Sequence, residues 1–179
     1  MSENLKEWIK DIVLAIVIAV LILQFIMPTI VREHSMEGTL QSSDYLFVSK
    51  KSYKWFGQPE RGDIIVFQSS LIRENGDNKL LVKRIIGLPG DTVEIKDGNV
   101  ILNGEVLEEK YTKDGYTDGY MEKVTVPEGC LFVMGDNRQN SADSRDSRIG
   151  FVDQKTVKGK VVLRLFPLNK FGGVYKNMK

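Results

Sequence analysis

The chain has 179 residues, with 25 Lys and Arg against 24 Asp and Glu, one histidine and one cysteine. A net charge of +1, with basic residues scattered among acidic ones, provides no positive stripe for a nucleic-acid backbone, so no nucleic-acid partner is expected. A single cysteine excludes an intrachain disulfide, and His34 with the distant Cys130 lacks the close ligand spacing of a zinc site.

The first predicted element is a membrane helix. Residues 12–31, from Ile12 to Val31, run without a charge, and at 1.5 Å per residue they cover the ~30 Å hydrocarbon core of a bilayer. Trp8 beside Lys6 suits an interfacial anchor, and Pro28 is expected to end or kink the helix around Met27. The chain therefore divides into a short N-terminal segment (1–11), a transmembrane helix (12–31) and a second part (32–179) large enough for its own core. A cleaved export signal is a rival reading, but it would have a shorter apolar run and a small-x-small exit, which Thr29-Ile30-Val31-Arg32 does not offer. A buried core helix is another, though a wholly apolar stretch of this length is rare in so small a domain. Orientation stays open, because Lys6 and Lys10 precede the run while Arg32, Lys50 and Lys51 follow it.

Short strands come next: 45–48, 63–67, 80–86, 92–95, 99–102, 105–107, 131–134 and 157–165. They are rich in β-branched residues, and Asp97-Gly98 and Asn103-Gly104 are strong hairpin-turn signals. The stretch 109–122 has no clear period and is expected to be a loop. With no long amphipathic helices in alternation, the expected class is mainly β, built of coiled antiparallel sheets or an open barrel. Cys130, at the head of an apolar run, is expected to be a small buried hydrophobe.

Two residues invite a chemical reading. Strand alternation puts Lys83 on one face with Leu81 and Ile85, where desolvation would favour a neutral amine able to act as a base. Arg84 is expected to face the other way, into solvent. A snorkelling surface lysine is the competing interpretation of Lys83. Ser35 lies four residues beyond the apolar run, and a Ser–Lys pair is one known solution for activating a serine hydroxyl. Pattern alone equally describes Ser35 as an ordinary loop serine.

Four blocks nevertheless occur in order: Ser35-Met36 with Thr39-Leu40; Arg61-Gly62-Asp63-Ile64-Ile65-Val66-Phe67; Lys83-Arg84-Ile85-Ile86-Gly87-Leu88-Pro89-Gly90-Asp91; and Gly135-Asp136-Asn137-Arg138 with Ser141, Asp143, Ser144 and Arg145. In these the chain resembles the bacterial type I signal peptidases, membrane-bound Ser–Lys proteases, and the short spacing from Asp91 to Gly135 resembles their compact, single-anchor members. The resemblance implies a catalytic domain of coiled antiparallel sheets. It implies Ser35 as nucleophile and Lys83 as general base, with Ser141 bonding the lysine amine and Asp143 and Arg145 in a supporting network. It further implies cleavage after small residues at the first and third positions before the cut, with no cofactor and no metal. The implied partners are signal peptides of preproteins and the lipid bilayer, with the export translocon a further candidate. The implied location is the cell membrane, with the N-terminus cytoplasmic and the catalytic domain outside.

Two positions depart from the family pattern. Gly38 stands where proline is frequent, which is expected to loosen the loop after the nucleophile. Glu33 stands where serine or glycine is found, and an ionised carboxylate cannot donate to an oxyanion. The rival functions are an inactive or specialised homologue that binds or processes a narrow set of surface proteins such as pilins, and a self-cleaving repressor-like protein, against which the apolar run argues.

Overall fold

The structure is a computed structural model that describes residues 3–55 and 57–175. A 23-residue helix, α1 (Glu3–Phe25), comes first. Its stretch Asn4–Phe25 is long and apolar enough to cross a membrane, about 33 Å at 1.5 Å per residue. Its apolar side chains from Ile9 to Leu23 are exposed. The helix expected over 12–31, with an end or kink around Met27, stops at Phe25 instead, and residues 26–30 form strand β1 (Ile26–Ile30). Pro28 has no N–H for a helical bond and disfavours helical geometry in the residue before it. β1 is an edge strand, a position that tolerates proline.

The remaining elements are β2 (Tyr45–Ser49), a one-turn helix α2 (Ser52–Trp55), β3 (Ile64–Ile72), β4 (Asn78–Gly87), β5 (Thr92–Lys96), β6 (Asn99–Leu102), β7 (Glu105–Val106), β8 (Met121–Thr125), β9 (Cys130–Met134), β10 (Val152–Asp153), β11 (Val157–Phe166) and β12 (Gly172–Gly173). They make two antiparallel sheets. The larger has the order β1-β2-β11-β3-β4-β9-β10, with β12 added to β11, and the smaller has the order β7-β6-β5-β8. The mainly β class read from the sequence is thus the observed one. Both hairpin signals hold, with positive φ at Asp97 and Gly98 (51° and 77°) and at Asn103 and Gly104 (55° and 90°), as a two-residue turn of this hand requires.

Three apolar clusters fix the site's surroundings. One joins Val31, Met36 and Leu40 of the loop after β1 to Leu46, Val48, Ile64, Val66 and Val161. The second sandwiches Ile86, Phe132 and Met134 against Val93, Ile95 and Val100 of the smaller sheet, with half-buried Cys130 at its margin. The third lies around Ile65, Phe67, Leu81, Ile85, Leu131 and Val133. β4 contributes to all of them, so both of its faces are covered and a polar residue in its middle is cut off from water.

Candidate active site

Lys83 sits in that middle, opposite Ile65 on β3, and is fully buried, as are Leu81 and Ile85 to within 2%. Its Nζ donates to Ser35 Oγ at 2.5 Å, and Ser35 itself is 6% exposed. Burial is the main influence on the amine and pulls its pKa down; Asp143, Glu33 and Asp136 pull the other way, Lys79 assists, and the result is about 8 against an ordinary 10.5. At pH 7 about one lysine in ten is then neutral.

The loop from Val31 to Leu40 delivers the serine. Val31 N–H donates to Asp44 O, and Glu37 and Leu40 N–H groups donate to His34 O and Met36 O, which coils the loop into tight turns. Asn137 clamps it from outside: its N–H donates to Ser35 O at 3.0 Å and its Nδ2 to His34 O at 3.0 Å. Gly38 takes φ +111°, and a Cβ there would lie 2.7 Å from Tyr111 O. Proline, locked near −65°, does not take this backbone. The glycine that was expected to loosen the loop instead permits a close approach between two segments.

Gly135 is the second close approach. A Cβ on it would lie 2.3 Å from Ser141 Oγ and 2.4 Å from Ser35 O, so both serines press against its bare backbone. Ser141 Oγ is buried there and has no hydrogen-bond partner of good geometry among the described residues, although the Asp143 carboxylate lies near enough to feel it. The Ser141–Lys83 bond implied by the resemblance is therefore not among those formed, while the serine is brought to the same corner. Asp143 and Arg145 do form a unit. Arg145 Nε and Nη2 donate to Asp143 Oδ1 and Oδ2 at 2.8 and 2.9 Å, and the Gly135 N–H donates to Asp143 Oδ2 at 2.9 Å. Burial raises the Asp143 pKa, but Arg145 and the Gly135 N–H outweigh it and hold the carboxyl ionised.

Arg84 corrects the expectation of a solvated side chain, since it is completely buried. The outer face of β4 is roofed by the loop after β1 and by the segment around Tyr111. The guanidinium forks onto Asp136 at 2.8 and 2.7 Å, donates to Gly62 O at 2.9 Å and Thr39 Oγ1 at 3.0 Å, and stacks 4.0 Å from the Tyr111 ring. A planar five-donor cation suits such a position where a lysine would not. Arg84, Asp136, Asn137 and Gly135 all lie inside the matched blocks, but only their spatial convergence reveals what each does.

A cavity of about 500 Å³ leads to Ser35. One wall is β1 and the loop after it, from Met27 to Met36; the other is Leu80 and Val82 of β4 with Val66 behind. Met27, Ile30, Val31, Met36, Val66, Leu80 and Val82 make much of its lining apolar. Among the described residues β1 pairs with β2 on one side only, which leaves its other edge without a strand partner. Charged groups cluster at the rim: Arg32, Arg73, and Glu33 paired with Lys79. Among the described residues no cluster of His, Cys, Asp or Glu is suited to a metal ion.

Comparison with known proteins gives a family match over most of the chain. Residues 5–166 match the family model described as signal peptidase, peptidase S26. The chain is 40% identical to signal peptidase I P of Bacillus subtilis subsp. natto over 94% of its own length and 93% of that protein's. It is equally 40% identical to signal peptidase I S of Bacillus subtilis (strain 168), over 94% and 93% of the two chains. A crystal structure of a signal peptidase I from Enterococcus faecalis V583 is similar at 38% identity, with a TM-score of 0.48, covering 57% of this chain and 96% of that one.

Proposed function

The chain belongs to the peptidase S26 family of signal peptidases, and from that premise we propose that it removes signal peptides from exported preproteins through a Ser35–Lys83 dyad. The observation that carries this reading is the 2.5 Å contact between a buried lysine amine and a buried serine hydroxyl at the end of an open groove. Neutral Lys83 takes the hydroxyl proton as Ser35 Oγ attacks the scissile carbonyl. The Ser35 N–H, which has no acceptor within the chain among the described residues, would donate to the oxyanion. Lys83 then gives its proton to the leaving amine, and the acyl-enzyme on Ser35 is hydrolysed by a water that Lys83 deprotonates. Asp143 and Arg145 brace the Gly135 corner from behind, and Ser141 packs into it. The scheme draws on no metal or organic cofactor.

The substrate would lie extended between β1 and β4, its backbone added to the free edge of β1. Alternate side chains of such a strand would face the apolar lining, and the reading takes small residues at the first and third positions before the cut. α1 would span the cell membrane with the N-terminus in the cytoplasm, placing the groove on the outer face, where signal peptides emerge from the lipid and the translocon.

The test is cleavage of a preprotein by the full chain in lipid vesicles. Ser35→Ala and Lys83→Ala variants that retain native circular dichroism are expected to lose all detectable turnover. Near-normal turnover by either would remove the dyad.

A further inference from the structure

Glu33 stands two residues before the proposed nucleophile, yet its carboxylate does not turn to the adjacent Arg32. It reaches across the groove to Lys79 Nζ. The partners belong to opposite walls: Glu33 to the loop after β1, and Lys79 to the start of β4, four residues before Lys83 on the same strand. Their side chains are 40% and 39% exposed, so the pair sits at the wet rim.

An acid at this position is adverse to the proposed chemistry in two ways. Its negative charge opposes the oxyanion that develops at Ser35, and it favours the ammonium form of Lys83 over the amine. Among the described residues the leading influences on Lys83 are Ser35 and Glu33 from the nucleophile loop, Asp143 and Asp136 from the segment after β9, and Lys79 from its own strand. Lys79 is the one cation in that set.

Building on the Ser35–Lys83 reading, we propose that Lys79 is a positioning residue that draws the Glu33 carboxylate to the far wall of the groove and offsets its charge, so that a nucleophile loop carrying an acid remains compatible with a lysine base. The two residues then form a matched pair. Losing the cation alone is worse than losing both.

The experiment is a double-mutant cycle on the full chain in detergent micelles, reading kcat/KM for a fluorogenic signal-peptide substrate from pH 6 to 10. Lys79→Met keeps the aliphatic stem and removes the charge. It is expected to lower kcat/KM about two- to fivefold at low salt, the range of an exposed ion pair, through kcat more than KM. Its rising limb should move to higher pH, because unopposed Glu33 stabilises the ammonium. Glu33→Ser should move the limb to lower pH, and the double variant should return it close to the parent's position. Lys79→Arg should behave as the parent, and all differences should shrink in molar salt.

Additive losses with an unmoved limb, while Ser35→Ala and Lys83→Met stay inactive, would overturn this proposal and leave the dyad standing. Activity in Lys83→Met would remove the dyad and this inference together. A Lys79→Met protein that loses native circular dichroism while the double variant does not would still show a matched pair; loss in both would make Lys79 merely structural and overturn the proposal.

Discussion

A lysine held at a pKa of about 8 in the folded chain, against 10.5 ordinarily, binds its proton less tightly folded than unfolded. The folded state is therefore penalised wherever that proton is still present. At 1.36 kcal/mol per pH unit the difference amounts to about 3 kcal/mol. The sign follows from linkage: between pH 8 and 10.5 the unfolded chain carries the extra proton, so stability rises with pH across that window. Below pH 8 the penalty is complete. Lys83→Met removes the charge while filling nearly the same space, so it is expected to abolish cleavage and to raise unfolding stability at pH 7 by about 3 kcal/mol, less whatever the Ser35 hydroxyl loses with its partner. The gain should fade as the pH passes 10. Urea unfolding of the full chain in micelles, followed by tryptophan fluorescence at pH 7 and pH 10, measures it directly. A methionine variant no more stable than the parent at pH 7, or a gain that persists unchanged at pH 10, would show that burial does not disfavour the ammonium here. The amine's readiness to act as a base would then lack its physical cause.

Three other substitutions probe the frame around the dyad. Gly135→Ala places a Cβ against Ser141 and the Ser35 carbonyl; overpacking of this kind costs about 1–3 kcal/mol, and thermal unfolding together with cleavage assays should show the serine displaced and activity lost. Asp136→Asn strips the counter-charge from buried Arg84, with an expected cost of about 3–5 kcal/mol measurable by denaturant titration. Gly38→Pro, although it moves the sequence toward the commoner family pattern, should destabilise by about 1 kcal/mol or more and lower turnover, since φ +111° is closed to proline. Higher activity in that variant would show that the loop adopts another conformation when it works.

Local chemistry made part of this protein legible in its sequence. The Asp-Gly and Asn-Gly turns follow from the two residues that tolerate positive φ best, and the β4 pattern announced a lysine between apolar neighbours. The strand β8 was missed because Met121-Glu122-Lys123-Val124-Thr125 lies on a sheet edge with only partial burial, so its alternation is weak. The break between α1 and β1 falls earlier than the expected Met27, because hydropathy does not distinguish a helix from a partly exposed edge strand, and only Pro28 marks the change. Arg84 was read as solvated because one strand shows which residues share a face, not what covers each face. The Ser35–Lys83 contact spans 48 positions in the chain. No local rule reaches that far; only the order of the motif blocks did.

The join between α1 and the β-sheets gives the proposed function its geometry. α1 ends at Phe25 and β1 begins at Ile26, with no residue between to act as a linker. The junction is fastened: Lys50 Nζ donates to Leu23 O at 2.9 Å and the Lys50 N–H to Phe25 O, and the Phe25 and Trp55 rings lie 5.2 Å apart. β1 is at once the continuation of α1 and one wall of the groove. Five strand residues advance the chain about 17 Å at ~3.3 Å each, and Ser35 follows five residues after the last of them. If α1 crosses the bilayer as proposed, the groove begins at the lipid surface, and a signal peptide leaving the membrane beside the anchor enters it without crossing open water. A flexible tether of equal length would keep the enzyme at the membrane but let the groove point anywhere. A junction fastened by these contacts restricts both position and direction, and orientation of that kind is what turns confinement into rate.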